Sequence, residues 1–117
     1  MKEAFYGRML AHYGEVVMVW SDHEDERPLT AVVRETANEE TQNLTETDVE
    51  LVTVRVGRDP AHELGGIAEP EPTLRMRRED DDAGSDPYAF TGEVLEKNPH
   101  SLLLRFTRRR VTRIGQR

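Results

Sequence analysis

Hydrophobic residues in the first part of this chain fall into short apolar runs separated by charged or polar segments. Val16–Trp20 is one such run and Leu29–Arg34 is another. Both are rich in residues that favour β-strands. The segment between them is charged and contains Pro28, which predicts a turn. We therefore expect the two runs to form a β-hairpin.

The clearest strand covers Val49–Val56, because its valines alternate with Thr53 and Arg55. The alternating valines are Val52, Val54 and Val56. Val49 and Leu51 fall on the opposite phase, which suggests a bulge near Leu51–Val52. A shorter strand is predicted over Thr73–Arg77. Its inward residues are expected to be Leu74 and Met76.

The last third of the chain predicts a second hairpin. Tyr88–Glu96 and Ser101–Thr107 flank the turn sequence Lys97-Asn98-Pro99-His100. One face of each strand is expected to be apolar. These inward residues are Tyr88, Phe90 and Val94 on the first strand, and Leu102, Leu104 and Phe106 on the second.

The remaining segments predict one helix and two loops. Phe5, Met9 and Tyr13 share one helical face, and Gly14 suits the end of a helix over residues 2–13. Thr36–Asp48 is polar, while Gly57–Pro72 is punctuated by proline and glycine. Loops of this length in a small domain are usually functional or unstructured until a partner binds.

The pattern as a whole predicts a single, mainly-β domain. We expect a small antiparallel β-barrel or sandwich with one short N-terminal helix and two long flexible loops. The helix would occupy residues 1–14, the β-barrel residues 15–107 and a basic C-terminal tail residues 108–117.

Charge is divided unevenly along the 117 residues. All 23 acidic residues lie at or before Glu96, where they outnumber the 10 basic residues up to Lys97 and give −13. The 6 remaining basic residues are arginines between Arg105 and Arg117, and they bring the net charge to −7. An acidic body repels nucleic acid, so we expect no sequence-specific nucleic-acid binding.

The sequence lacks the residue patterns of common catalytic sites. The absence of cysteine excludes disulfides and thiolate chemistry. The 4 histidines do not follow a zinc-binding spacing, and neither a serine nucleophile motif nor a phosphate-binding loop occurs. We therefore expect no enzyme activity, no cofactor and no metal. Without a long apolar segment, a cytoplasmic protein that does not bind membranes is expected.

The residues expected to contact a partner lie near the two ends of the chain. They are Arg105, Arg108, Arg109, Arg110 and Arg113, together with Tyr6 and Tyr13 of the predicted helix. Three interpretations stay open for the arginines: they bind an acidic surface of a neighbouring copy, they bind nucleic acid directly, or Arg105 and Arg109 are only the solvated face of the last strand. The tyrosines are core residues or interface anchors. Trp20 and Tyr88 are expected in the core.

The order of elements resembles the small head–tail joining (connector or stopper) proteins of long-tailed bacteriophages and prophages. The resemblance rests on the helix over Phe5–Tyr13, the strands Val16–Trp20, Leu29–Arg34 and Val49–Val56, and the closing hairpin Tyr88–Phe106 followed by Arg108. It covers most of the chain but contains no diagnostic short motif.

This resemblance implies a structural role in virion assembly. Copies would form a ring below the portal, with the two long loops ordering against neighbours, the portal-side adaptor or the tail. No cofactor is needed for that role. The alternative is a small, non-enzymatic β-barrel that serves as a protein–protein interaction module of a cellular complex.

Overall fold

The structure, a computed structural model, describes residues 12–35, 49–81 and 86–109 and is mainly β in these ranges. Its strands are β1 (Glu15–Trp20), β2 (Arg27–Glu35), β3 (Val49–Gly57), β4 (Arg75–Arg78), β5 (Tyr88–Lys97) and β6 (Ser101–Arg109). They form a closed antiparallel barrel in the order β1-β2-β3-β6-β5-β4. The prediction of a small antiparallel β-barrel is confirmed.

Local hairpins and long-range pairings both build the barrel. The predicted hairpins are confirmed, since β1 pairs with β2 and β5 pairs with β6. The longest ladder joins β3 to β6, from Val49 opposite Arg109 to Gly57 opposite Ser101. The pairing of β1 with β4 closes the barrel and leaves no free edge at that junction.

The core lies inside the barrel and follows the period of two along each strand. Its most buried large side chains are Tyr88, Phe106, Met76, Leu102 and Leu104. The valines predicted to face inward on β3 are buried, as are Leu74 and Met76. Tyr88 is in the core as expected, whereas Trp20 is only half-buried because it lies on the outward phase of β1.

The irregularities of the sheet lie in a different strand from the one predicted. The register between β3 and β6 runs without a shift, so the bulge suggested near Leu51–Val52 is absent. Instead, β5 shifts register between Phe90 and Val94, and again between Val94 and Glu96. Val94 lies opposite the inward Leu104, as predicted, but it is 40% exposed and does not belong to the buried core.

The segment predicted as the loop Gly57–Pro72 begins within β3 and contains no strand after Gly57. It packs against the barrel: Ile67 belongs to the core cluster, and its backbone N–H donates to the carbonyl of Gly57. The backbone N–H of Thr30 donates to the carbonyl of Leu64. The composition of the segment predicts a flexible loop, whereas Ile67 and these backbone hydrogen bonds attach the segment to the barrel.

Two predictions fall largely on residues that the structure does not describe. Of the helix predicted over residues 2–13, only His12 and Tyr13 are described, and both are helical. The polar loop Thr36–Asp48 lies outside the described residues entirely. In the parts of the chain that are described, no helix has the length and apolar character needed to cross a membrane.

Candidate functional site

One end of the barrel is closed by mostly charged side chains, which lie at inward positions of the strands and in the turn after β4. We call it the charged end and define it by Glu15, Glu35, Glu50, Arg78, Asp81, Tyr88 and Arg108. The strands β1, β3 and β5 begin at this end, whereas β2, β4 and β6 finish there. Side chains on a strand alternate between the two faces of the sheet, so Glu50, two residues before the inward Val52, also points inward. For the same reason Arg108, two residues after the inward Phe106, points inward.

Arg108 is the centre of the charged end. Its Nε donates to Oε1 of Glu50 at 2.8 Å, and its Nη1 lies 3.2 Å from Oδ1 of Asp81. Its guanidinium also stacks over the ring of Tyr88, 4.1 Å from the ring centroid. Only 14% of the Arg108 side chain and 8% of the Asp81 side chain are exposed. Arg108 is therefore held within its own barrel.

Arg78 forms a second cluster at the same end. Its Nε and Nη2 donate to the two carboxylate oxygens of Glu15 at 2.8 and 2.9 Å, a two-pronged contact between β4 and β1. Glu35, which is largely exposed, lies 3.9 Å from Nη1 of Arg78. The backbone N–H of Arg78 donates to Asp81, and this contact links the two clusters.

The pKa values at the charged end are shifted by burial and by neighbouring charge. Burial, followed by the charge of Glu50, raises the pKa of the Tyr88 phenol above its ordinary value. Hydrogen bonds to Glu15 raise the pKa of Arg78. Burial lowers the pKa of Arg108, but its hydrogen bond with Glu50 and the charge of Asp81 outweigh burial and raise it overall. Both arginines are permanent cations that anchor carboxylates, and Tyr88 stays neutral near pH 7.

The predicted partner residues are divided between the inside and the outside of the barrel. Arg108 points inward and is paired with Glu50 and Asp81. Arg105 points outward and pairs with Glu93, with 3.2 Å between Nη1 and Oε1. Arg109 and Tyr13 are exposed, and Tyr13 stacks edge-to-face with His12. Arg110, Arg113 and Tyr6 lie outside the described residues.

Three members of the site, Glu50, Arg78 and Glu15, are not among the residues predicted from the sequence. A signal for each was present, because each lies two positions from a residue with an inward phase: Val52, Met76 and Val17, respectively. That these residues meet depends on closure of the barrel by β1 and β4, which is not a local feature. Within the described ranges, no group of three histidine, aspartate or glutamate side chains is arranged to hold a metal ion.

Fold and site together define a small closed β-barrel with one ion-paired end. Comparison of the chain with family models, with curated proteins and with solved structures gives no match.

Proposed function

We propose that this protein is a structural subunit of a prophage-type head–tail junction, in which copies assemble into a ring that joins the portal side of the head to the tail. In this role the barrel is a rigid body and does no catalysis. Its partners are other copies of the chain and the neighbouring portal, adaptor and tail proteins. The order of elements in the sequence is the starting point for this proposal.

The observation that carries the proposal is where the rest of the chain joins the barrel. Residues 1–11, 36–48, 82–85 and 110–117 all connect to the barrel at the charged end, because the flanking strands begin or finish there. A subunit of a layered assembly needs a rigid body and segments that reach its neighbours. We propose that the segments joined to this end of the barrel are the ones that contact its neighbours.

The placement of the arginines supports a protein partner over a nucleic acid. On the described part of β6, Arg108 is committed to Glu50 and Asp81, and Arg105 is paired with Glu93. Neutralised arginines contribute little to phosphate binding. The arginine-rich tail sequence and the acidic body instead carry opposite charges, which suits contacts between copies of one chain.

The proposal is tested by deleting the gene from an inducible lysogen and examining the lysate by electron microscopy. A head–tail joining role predicts filled heads and free tails that do not join, and normal particles when the wild-type gene is supplied on a plasmid. Normal, infectious particles in the deletion strain would contradict the proposal and favour the interaction module of a cellular complex. Portal, capsid and tail genes are expected beside this gene.

A further inference from the structure

Strand β1 is apolar on both of its faces. Val17 and Val19 point into the barrel and are buried. Val16, Met18 and Trp20 therefore point outward, since side chains alternate along a strand. A strand with one solvated face normally carries polar residues on that face, whereas a run that is apolar throughout is typical of a strand covered on both sides. The sequence of β1 thus indicates that another element covers its outer face.

The apolar surface continues onto β2. Val16 lies opposite Thr30, and Met18 lies opposite Pro28. Val16 is 46% exposed, so this surface is open to solvent in the part of the chain that the structure describes. We call it the outer β1–β2 face and define it by the outward residues of the two strands, none of which is charged: Val16, Met18, Trp20, Pro28, Thr30 and Val32.

An element that covers this face needs an apolar stripe of similar length. From Val16 to Trp20 the face is about 14 Å long, at about 3.4 Å per residue. In the helix predicted over residues 2–13, the apolar stripe from Phe5 to Tyr13 is about 12 Å long, at about 1.5 Å per residue. The helix stripe and the outer β1–β2 face therefore match in length.

The N-terminal segment is the best match among the segments outside the described residues. It carries Phe5, Met9 and Leu10 within residues 1–11. The other three segments have at most two large apolar side chains each, and they are residues 36–48, 82–85 and 110–117.

The helix is joined too closely to β1 to lie on the outer face of its own barrel. A helix is about 10–12 Å wide and packed layers of a β protein stand about 10 Å apart, so a helix axis stands about 10 Å above the sheet that it covers. Helical Cα atoms lie about 2.3 Å from that axis, which leaves the nearest one about 8 Å above the sheet. Gly14 alone separates the helical Tyr13 from Glu15, where β1 begins. The two steps from Tyr13 to Glu15 reach at most about 7 Å.

The exposure of Tyr13 agrees with this geometry. Tyr13 is the stripe residue nearest to β1 in the sequence, yet it is 69% exposed. Its ring contacts His12 edge to face, with 4.6 Å between the ring centroids. At the junction with β1, the apolar stripe is therefore turned away from its own barrel.

We propose that the outer β1–β2 face binds the N-terminal helix, residues 2–13, of a second copy of this chain. Phe5, Met9 and Tyr13 of the helix pack against the apolar residues of that face. The contact covers the second apolar side of β1 and gives Tyr13, a residue predicted to contact a partner, a surface to bind.

This contact joins two different surfaces, the helix of one copy and the outer β1–β2 face of the next. Repetition of such a heterologous contact gives a ring if the rotation closes and a filament if it does not. The inference rests on the self-association that the proposed function requires, and it names the surfaces involved. The apolar contact adds to the attraction between oppositely charged surfaces and does not replace it.

The absence of cysteine from the chain allows the contact to be tested by site-specific cross-linking of the full-length protein. Met9→Cys places a thiol on the helix stripe, and Thr30→Cys places one on the outer β1–β2 face, beside Val16. The two single variants, one of them isotope-labelled, are mixed in low salt and treated with a short bismaleimide. Mass spectrometry identifies the linked peptides. A cross-link between the two substituted positions in this mixture can only join two copies.

Matched controls move one thiol at a time off the proposed contact. Thr53→Cys replaces an outward threonine of β3, since Thr53 lies between the buried Val52 and Val54. Ala11→Cys falls on the side of the predicted helix opposite Met9, at about 100° per residue. Docked thiols have an effective concentration in the millimolar range, so the test pair should cross-link at least about tenfold faster than either control pair.

A further variant tests whether the contact is apolar. Val16→Asp, added to the Thr30→Cys copy, places a charge in the outer β1–β2 face and should slow cross-linking at least about tenfold, because the helix would desolvate that charge. Val16 is exposed, so the fold should be unchanged. Circular dichroism checks that every variant is folded.

Cross-linking of the test pair no faster than the controls would overturn the inference. A cross-link that forms only within one chain, in a double variant carrying Met9→Cys and Thr30→Cys, would also overturn it, because the helix would then lie on its own barrel. Fast cross-linking of the mixture combined with normal particles in the deletion strain would support the contact and refute the head–tail role. Unjoined heads and tails without the cross-link would refute the contact alone.

Discussion

The two ends of the barrel are closed by different means. At the end opposite the charged end, the loop of residues 58–74 folds over the barrel and contributes Ile67 to the core. We call this the loop end. At the charged end, by contrast, arginines and carboxylates meet at the inward positions of the strands. The difference shows that a small barrel can close one end with apolar residues and the other with ion pairs.

Hydrogen bonds fix the loop end in place without buried charge pairs. Nη2 of Arg27 donates to the carbonyl of Gly66 at 3.0 Å, and Nη1 of Arg58 donates to the carbonyl of Asn98 at 3.0 Å. At the turn between β5 and β6, Asn98 Oδ1 accepts from the backbone N–H groups of His100 and Ser101. Apolar burial should therefore dominate the energetics of the loop end, and electrostatics those of the charged end.

The largest expected effect is loss of the apolar anchor at the loop end. Ile67→Ala should lower the free energy of unfolding by about 3 kcal/mol, because it removes buried methylenes and leaves a cavity. Ile67→Val should cost about 1 kcal/mol. Urea denaturation measures both. The loss should be the same at low and high salt, and a strong salt dependence would contradict an apolar closure of this end.

At the charged end, Arg108→Ala should cost about 2–3 kcal/mol, since it leaves Glu50 and Asp81 without their cation and uncovers Tyr88. Arg109→Ala, the neighbouring exposed arginine, should change stability by less than about 0.5 kcal/mol. Denaturation midpoints for the two variants test the comparison. Equal effects would show that Arg108 behaves as a surface residue and that the cluster contributes nothing.

Two glycines have similar φ angles but different surroundings. Replacing each by alanine therefore distinguishes the cost of backbone strain from the cost of a steric clash. Gly65 at the loop end has a φ of 81°, and a Cβ there would lie 2.7 Å from Leu29 Cβ. Gly92 in β5 has a φ of 91°, and a Cβ there would meet no heavy atom of the described residues within 4 Å. Gly92→Ala should cost about 1 kcal/mol of backbone strain, and Gly65→Ala should cost clearly more. Thermal unfolding of both variants gives the difference.

The smallest effect is expected from pH, through Tyr88. Its folded-state pKa is raised, so the unfolded chain releases the proton first and stability falls as the pH rises above about 10. Below that pH the contribution of the protonated Tyr88 phenol to stability is fully present. Tyr88→Phe should reduce the alkaline loss of melting temperature. Among the 3 tyrosines, titration followed by ultraviolet absorbance should show one that ionises late in the wild type and is missing in the variant.

Much of the strand pattern could be predicted from the sequence, because alternation of valine and leucine with polar residues is a local signal. Val52, Leu104 and Met76 all lie inward as that alternation requires. A barrel or a sandwich was expected, but the pairing of β1 with β4 that closes the barrel could not be predicted, since these strands are far apart in the chain and their pairing leaves no local mark. The exposure of Val94 follows from the bulges in β5, for which Gly92 within the strand was the available signal.

The candidate site was predictable in parts but not as a unit. Arg108 stands in a run of arginines, which predicts that it belongs to the tail, yet β6 continues through Arg109 and turns Arg108 inward. If the alternation of β6 is continued past Phe106, Arg108 falls on the inward face and Arg109 on the outward face. The partners of Arg108 come from β3 and from the residues after β4, so its ion pairs follow only from the closed fold.

The central claim is that copies of this chain associate with one another through oppositely charged surfaces, as the proposed function requires. Native mass spectrometry of the full-length protein over a concentration series, at low and high salt, tests it most directly. The account predicts salt-sensitive oligomers that grow past the dimer, as a heterologous contact between charged surfaces requires. A monomer at every concentration, or a dimer that never grows and ignores salt, would contradict it.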